Sequence, residues 1–513
     1  MAQVIPAQSV NVAATVPVPF FRRRSGRLAA VWVLLCALPA TSTQAAPEDL
    51  VRAATELKAR YAAQIRDLAA WCDGRGLKEQ AQKTRAALGP HDPYKIYLPV
   101  LPREVGPPPL PQGVPADVVE WDARWNRLRH EQGMALFELA RRAVSNRRAS
   151  LGYELVIEAV RVDPDCEPAR RVLGYQKFRD GWHTPYEVRK LRVNQVWHEK
   201  FGWISQANVR RYEEGQRPAG KRWITVAEDA RIHARIESGW DVETEHYAIR
   251  TNHSLEAGVA LGAKLERLYH VWEQLFIRYY ASEAHVLALF EGRARPPAQP
   301  AKLAVVYYRD RDDYNRSLRA VPGIEQSIGY FNQAMRQAHF FAGKDADDRT
   351  LYHEATHQLF HQSRPVVPDV GAKANFWIVE GIAMYMESLH QEGAYYVLGG
   401  ADDERVQDAQ VRLLRDNFYV PLAEATRYSM EKIQKDPRIA TLYSQFAGQA
   451  NFLVYYDGGR YRDALVAYLT AIYTGRADPN TLAQLTGTSY GELDKQYREF
   501  IAATAKLAGA QQP

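Results

Sequence analysis

The chain is poor in cysteine. Only Cys36, Cys72 and Cys166 occur in 513 residues, and no Cys-x-x-Cys pair is among them. This excludes a disulfide scaffold, a cysteine-rich structural zinc module and a dithiol redox motif. Cys72 and Cys166 lie far apart in sequence, which is weak evidence for a bridge. No apolar run reaches the roughly 20 residues that span a bilayer. Nor is there a concentrated basic segment of the kind that binds nucleic acid. The net charge is +6, but Arg22, Arg23, Arg24 and Arg27 account for four of those charges in a stretch, residues 1–45, without an acid. The remaining body is close to neutral.

Those first residues have the layout of an export signal: arginines 22–27, a short apolar core Leu28–Leu38, then small residues leading to Thr43-Gln44-Ala45. Cleavage near Ala45 is expected. It would deliver the chain to the periplasm or the exterior, without Cys36 and without a membrane span in the mature protein.

Hydrophobic residues make up 46% and charged residues 25%, an ordinary globular balance. The length suggests about three domains. Residues 46–200 show helical periodicity (Leu50, Ala53, Leu57, Tyr61, Ile65, Leu68), broken by a proline-rich connector at 98–115. Around Asp163-Pro164-Asp165 the pattern resembles one tetratricopeptide-type helix–turn–helix. A single unit cannot form a stable solenoid. From about 236 the pattern changes. Thr244–Thr251 alternates as a strand, and a helix of about 25 residues leads to Tyr280. Gly258 and Gly262 weaken the first turns of that helix. Leu303–Tyr308 reads as a buried strand, and Ile328–Phe331 with Gln337–Phe341 as a hairpin. Two helices follow, and 396–513 is helical, closing with Tyr490–Leu507. The expectation is an α+β fold: a small mixed or antiparallel sheet over residues 236–395, packed on the active-site helices, between helical flanks.

The chemistry concentrates in Leu351-Tyr352-His353-Glu354-Ala355-Thr356-His357. Residues four apart lie on one face of an α-helix, so His353 and His357 can share one zinc ion. Glu354 sits where it can act as general base without binding the metal. With 14 histidines in the chain, a chance His-Glu-x-x-His arises in fewer than about one shuffled sequence in 20. Catalytic zinc sites keep three protein ligands and an open position. His361 lies about 12 Å along the helix axis from His353 at 1.5 Å per residue, too far to share an ion. Glu380 is the better third ligand. It is the one acid in Phe376-Trp377-Ile378-Val379-Glu380-Gly381-Ile382-Ala383, after a loop containing Pro365, Pro368 and Gly371. A buried carboxylate needs a partner.

His353-Glu354-x-x-His357, then 22 intervening residues and Glu380-Gly381-Ile382-Ala383, resembles the gluzincin clan of thermolysin-like and peptidase-MA-like zinc metallopeptidases. It also resembles exported bacterial proteins carrying such a domain behind a helical N-terminal region. The resemblance covers about residues 236–395 and the helices after them. It implies zinc, a peptide or protein substrate, and hydrolysis of the peptide bond. It also implies a substrate-pairing edge strand, for which Ser327–Phe331 is the candidate, and a transition-state donor on a later helix, for which Tyr443 is the candidate. The clan's asparagine before the third ligand is Val379 here, and its acid four residues after is Met384. Glu387 is placed to substitute as a partner for a histidine. Two other readings fit the same residues: a zinc amidase acting on cell-wall peptides, and a helical binding protein with a vestigial metal site. An intact Glu354 speaks against the second. Substrate identity and oligomeric state are not written in the sequence.

Overall fold

A computed structural model describes residues 47–297, 301–344 and 346–511. The expected signal at 1–45 lies outside them. Helices dominate up to residue 172: α1 (Pro47–Asp73), α2 (Ala116–Ser145) and α3 (Ala149–Val162) pack around one core that includes Ile65, Leu136, Phe137, Val156 and Ala159. Cys72 and Cys166 are both buried in that core and free. The tetratricopeptide expectation is corrected. The helix after the Asp163 turn, Glu167–Val172, has only six residues and cannot supply the second half of a repeat.

The helical expectation also fails from 176 to 200. Three hairpin–helix units stand in a row there: strands 176–178 and 181–183 with helix Pro185–Arg192, strands 195–198 and 202–205 with helix Val209–Glu213, and strands 216–219 and 222–225 with helix Val226–Ile232. Each second strand carries a tryptophan followed two residues later by a hydroxyl residue: Trp182/Thr184, Trp203/Ser205, Trp223/Thr225. Thr184 and Thr225 close capping boxes with Glu187 and Glu228. The recurring Trp-x-Ser/Thr at intervals of 21 and 20 residues is the signal that reveals the units. Helical periodicity does not detect it, because each element is only three to eight residues long.

The main sheet is mixed, as an α+β fold requires. Its strands are β1 (Trp240–Glu243), β2 (Tyr247–Thr251), β3 (Leu303–Tyr308), β4 (Tyr330–Asn332) and β5 (Gln337–Phe341), in the order β4-β5-β3-β2-β1. β3 runs parallel to both neighbours, with Val305 opposite Ile249 and Ala338. β1 and β4 join antiparallel as edges. β1 escapes a sequence reading because Trp240-Asp241-Val242-Glu243 is too short to show a period. A second, three-stranded antiparallel sheet ties Lys95–Pro99 to residues 395–399 and 390–392.

Gly258 and Gly262 have a packing reason. They lie in α4 (Leu255–Leu275), where it crosses the sheet at closest approach. A Cβ on Gly258 would stand 2.9 Å from Thr251 Cγ2, and one on Gly262 2.8 Å from Thr244 Cγ2. Gly258→Val should therefore lower stability by about 1–3 kcal/mol through overpacking, read as a shift in urea midpoint at constant slope. An unchanged midpoint would mean the helix can lift off at no cost.

Under the sheet run α5 (Asp348–Gln362) and α6 (Phe376–Met386). α8 (Ile439–Gly459) packs against α6, and α7 (Glu404–Gln410) and α9 (Tyr490–Gln511) pack against α8. One hydrophobic core runs from Ile249 in the sheet through Leu359 and Ile382 to Phe446 and Ile501. Among the described residues no helix is long and apolar enough to cross a membrane.

Candidate metal centre

α5 opens at Asp347, whose carboxylate accepts from Arg349 N at 2.9 Å. The helix is buried nearly all round. Its histidines therefore face protein and one another rather than bulk water. Asn375, in the left-handed conformation (φ 61°), ends the loop before α6. Its side chain accepts from Tyr468 Oη at 2.6 Å. Gly381 lets α6 press on α8: a Cβ there would lie 2.8 Å from the carbonyl oxygen of Phe446. That crossing brings Glu380 and Tyr443 together.

The three expected ligands converge. One ligand atom each from His353, His357 and Glu380 lies within 4.8 Å of the others. The two Nε2 atoms are 3.2 Å apart. Each sits 3.5 Å from a Glu380 oxygen, His353 from Oε2 and His357 from Oε1. Glu380 is 3% exposed, and its Oε2 has no hydrogen-bond partner among the described residues. Two imidazole nitrogens and an under-partnered buried carboxylate form a donor set suited to a divalent transition metal. The group could hold a metal ion.

His361 is not part of the group. Its ring packs on Phe331 and Tyr473, 3.2 Å from Gln333 Nε2, and burial presses its pKa down to about 3.

The electrostatics follow from burial among carboxylates. Burial opposes a charge on His353, but the negative Glu380 and Glu387 carboxylates around it, the latter hydrogen-bonded to its Nδ1, outweigh it and lift its pKa to about 10. His357 is pressed down to about 4, chiefly by burial. Burial raises Glu380, yet the two histidines bring it below the ordinary carboxylate range. Glu354 is raised to about 7, chiefly by burial and also by Glu380, against the charge of His353. It stands beside the ligands, and its Oε2 accepts the Phe331 N–H at 3.0 Å. That amide belongs to β4, a sheet edge that shares only Tyr330 and Phe331 with the expected substrate strand Ser327–Phe331; residues 327–329 lie outside any strand.

Tyr443 is buried in α8, and its Oη has no hydrogen-bond partner within ordinary reach among the described residues. Its pKa rises well above the usual phenol value through burial and the nearby negative Glu380. Tyr443 thus reaches the ligand cluster.

Sequence reasoning missed an arginine clamp behind His353. His353 Nδ1 lies 2.8 Å from Glu387 Oε1. Arg405 donates to both oxygens of Glu387, Nε to Oε2 at 2.9 Å and Nη2 to Oε1 at 3.1 Å. Arg349 Nε lies 3.6 Å from Glu387 Oε2. Burial pushes the Glu387 carboxyl up, but His353 and Arg405 hold it below its ordinary range. Nothing in the sequence marks Arg405 among so many arginines.

The fold and the site together define a class: an α+β protein with a buried His–His–Glu group capable of holding a metal ion. A family model described as Protein of unknown function (DUF1570) matches residues 347–477. That span holds the ligand group, Glu354, Glu387, both clamp arginines and Tyr443, whereas the sheet and the hairpin units fall outside it. No curated protein and no solved structure matches the chain.

Proposed function

We propose that the chain is an exported zinc metallopeptidase of the gluzincin type, acting on an extended peptide or protein. The observation that carries this reading is the convergence of His353 Nε2, His357 Nε2 and the Glu380 carboxylate, with Glu354 beside them and not in the ligand set. A purely structural site has no use for that adjacent carboxylate, and structural zinc sites tend to be closed and cysteine-rich.

His353, His357 and Glu380 would hold the zinc ion, and bound there it would supply Lewis acidity toward water and a carbonyl. Glu354 takes the proton from the attacking water. With a pKa near 7 it can also return that proton to the leaving amine, as general acid–base catalysis near neutral pH requires. Phe331 N–H fixes one Glu354 oxygen and leaves the other for the proton. β4 lies at the sheet edge. A peptide laid along it, main chain to main chain, would carry its scissile carbonyl past the ligands. Tyr443 Oη, near Glu380 and without a hydrogen-bond partner among the described residues, would donate to charge developing on that oxygen.

Chelation tests this directly. Treating the purified mature chain with a chelator should abolish cleavage of a peptide library, and one equivalent of zinc should restore it. Cleavage that survives complete metal removal would end the proposal. Parallel digests of peptidoglycan fragments separate it from a cell-wall amidase, which would release products only from the fragments.

A further inference from the structure

The near-neutral body divides unevenly. Residues 176–235, the three hairpin–helix units, hold 13 Lys and Arg against 7 Asp and Glu, a net +6. The rest of residues 46–513 is then at −4. No single run holds these cations; they recur with the units. Eight residues on from the tryptophan of each Trp-x-Ser/Thr stand Lys190, Arg211 and Arg231, each on its unit's helix. A second series, Arg179, Lys200 and Lys221, occupies the three hairpin turns at intervals of 21 residues.

None of these six makes an ion pair among the described residues. Five are exposed, and Lys190 is half-buried. Four cations of the same stretch that belong to neither series are paired instead: Lys177 with Glu167, Arg210 with Glu214, Arg217 with Glu256 and Arg235 with Glu237, at 2.7–3.3 Å. A lone exposed cation is ordinary. Six at repeated positions, all unpaired, are not what scattered solvated charges produce. Asp180 and Glu199 stand next to Arg179 and Lys200 in the turns, whereas no acid adjoins Lys190, Arg211 or Arg231 in the chain. The acids within the three helices are engaged: Glu187 by Arg103, Glu213 by His198, Glu228 in its capping box and Asp229 by Trp240 Nε1. The helix series is therefore the cleaner row of positive charge. Helix Pro185–Arg192 packs on the following strand 195–198, and helix Val209–Glu213 on strand 216–219. Repeats stacked on their neighbours in this way bring equivalent positions into line.

A row of cations several units long fits a linear polyanion. Single-stranded nucleic acid also needs open aromatic faces for its bases. Here the unit tryptophans are covered. Trp182 is 1% exposed, Trp203 lies against Tyr186 and Trp197, and the Trp223 ring carries the Arg211 guanidinium at 4.9 Å. A duplex needs an element that enters a groove, and these helices have only five to eight residues and pack on hairpins. A membrane surface needs a continuous apolar face, but the exposed Val193, Trp197, Val226 and Ile232 recur at no fixed interval. An acidic polysaccharide asks for none of these. Its carboxylates or sulfates repeat along the chain and meet the row through charge-assisted hydrogen bonds.

We propose that the three hairpin–helix units bind a linear acidic polysaccharide along the row Lys190, Arg211 and Arg231. The inference does not depend on the peptidase reading.

The test is binding of the full mature chain to polygalacturonate, alginate and heparin at about 0.15 M salt. Dextran, duplex DNA, polyglutamate and phosphatidylglycerol vesicles serve as comparisons. At least one acidic polysaccharide should bind saturably, dextran should not, and the affinity should fall as salt rises. Changing Lys190, Arg211 and Arg231 together to Gln should weaken that binding about 10-fold and flatten its salt dependence. Changing Arg60, Arg66 and Lys506 together to Gln removes the same charge elsewhere and should leave the affinity within about twofold. Arg231→Glu has no ion pair or ring contact to lose, so it should keep the parent melting temperature and by itself weaken binding about 3-fold or more. Three silent acidic polysaccharides would overturn the proposal, as would dextran binding equally well. So would DNA, polyglutamate or vesicles binding more tightly than every acidic polysaccharide. A control triple that weakens binding as much as the row triple would reduce the effect to net charge and overturn it. A folded Arg231→Glu chain with the parent's affinity would do the same.

Discussion

Glu354→Gln should leave the chain folded and zinc-loaded while slowing peptide hydrolysis by about 10²–10⁴-fold, the range general-base catalysis supplies. Glu354 lies outside the three-residue ligand group, so removing its charge costs no metal ligand. Glutamine is isosteric, and its carbonyl oxygen can still accept the Phe331 N–H that the carboxylate accepts at 3.0 Å. What it cannot do is take a proton. Burial has already lifted the carboxyl to about 7, so the neutral amide also removes an unfavourable buried charge. The melting temperature should hold or rise. Metal content by mass spectrometry, together with kcat on a peptide found by library cleavage, decides the matter. Full activity in a zinc-loaded variant would remove Glu354 from the mechanism.

The second large effect is expected behind the ligands. Glu387→Gln should weaken zinc binding about 10- to 100-fold, as loss of the group that orients a ligating histidine does elsewhere. His353 Nδ1 points at Glu387 Oε1 at 2.8 Å, which turns Nε2 toward His357 and Glu380. The carboxylate also makes the imidazole a better donor to a metal. Glutamine keeps an acceptor but not the charge, and it leaves Arg405 without its two-point partner. Breaking a buried ion pair from one side is destabilising, so the melting temperature should fall too. Arg405→Lys is the companion experiment. Lysine keeps the charge but loses the fork, and a smaller loss of zinc affinity should follow. Competition with a chromophoric chelator reads both. An unchanged affinity in Glu387→Gln would show that packing alone orients His353.

The order β3, hairpin β4–β5, ligand helix, second helix was legible because each segment is long enough or patterned enough to declare itself. Leu303–Tyr308 is an unbroken apolar strand, and its bounds match those observed. β1 and the hairpins of 176–225 were not legible as elements. Strands of three to five residues carry too few side chains for a period to emerge. The two glycines of α4 looked like flaws in a helix. Their role in close packing became visible only once the sheet was in place.

The sequence by itself determined the local part of the candidate metal site. Helical geometry sets the relation of His353, Glu354 and His357 within one turn, and an acid in an apolar helix announces that it is buried and needs a partner. Only the tertiary structure decided which groups stand around that trio. The clamp of Arg405 and Arg349 on Glu387, the Phe331 amide on Glu354 and the approach of Tyr443 to Glu380 each join segments far apart along the chain. Such partners are chosen by how faces pack. Packing depends on the summed shape of many side chains, and no spacing within a single segment encodes it.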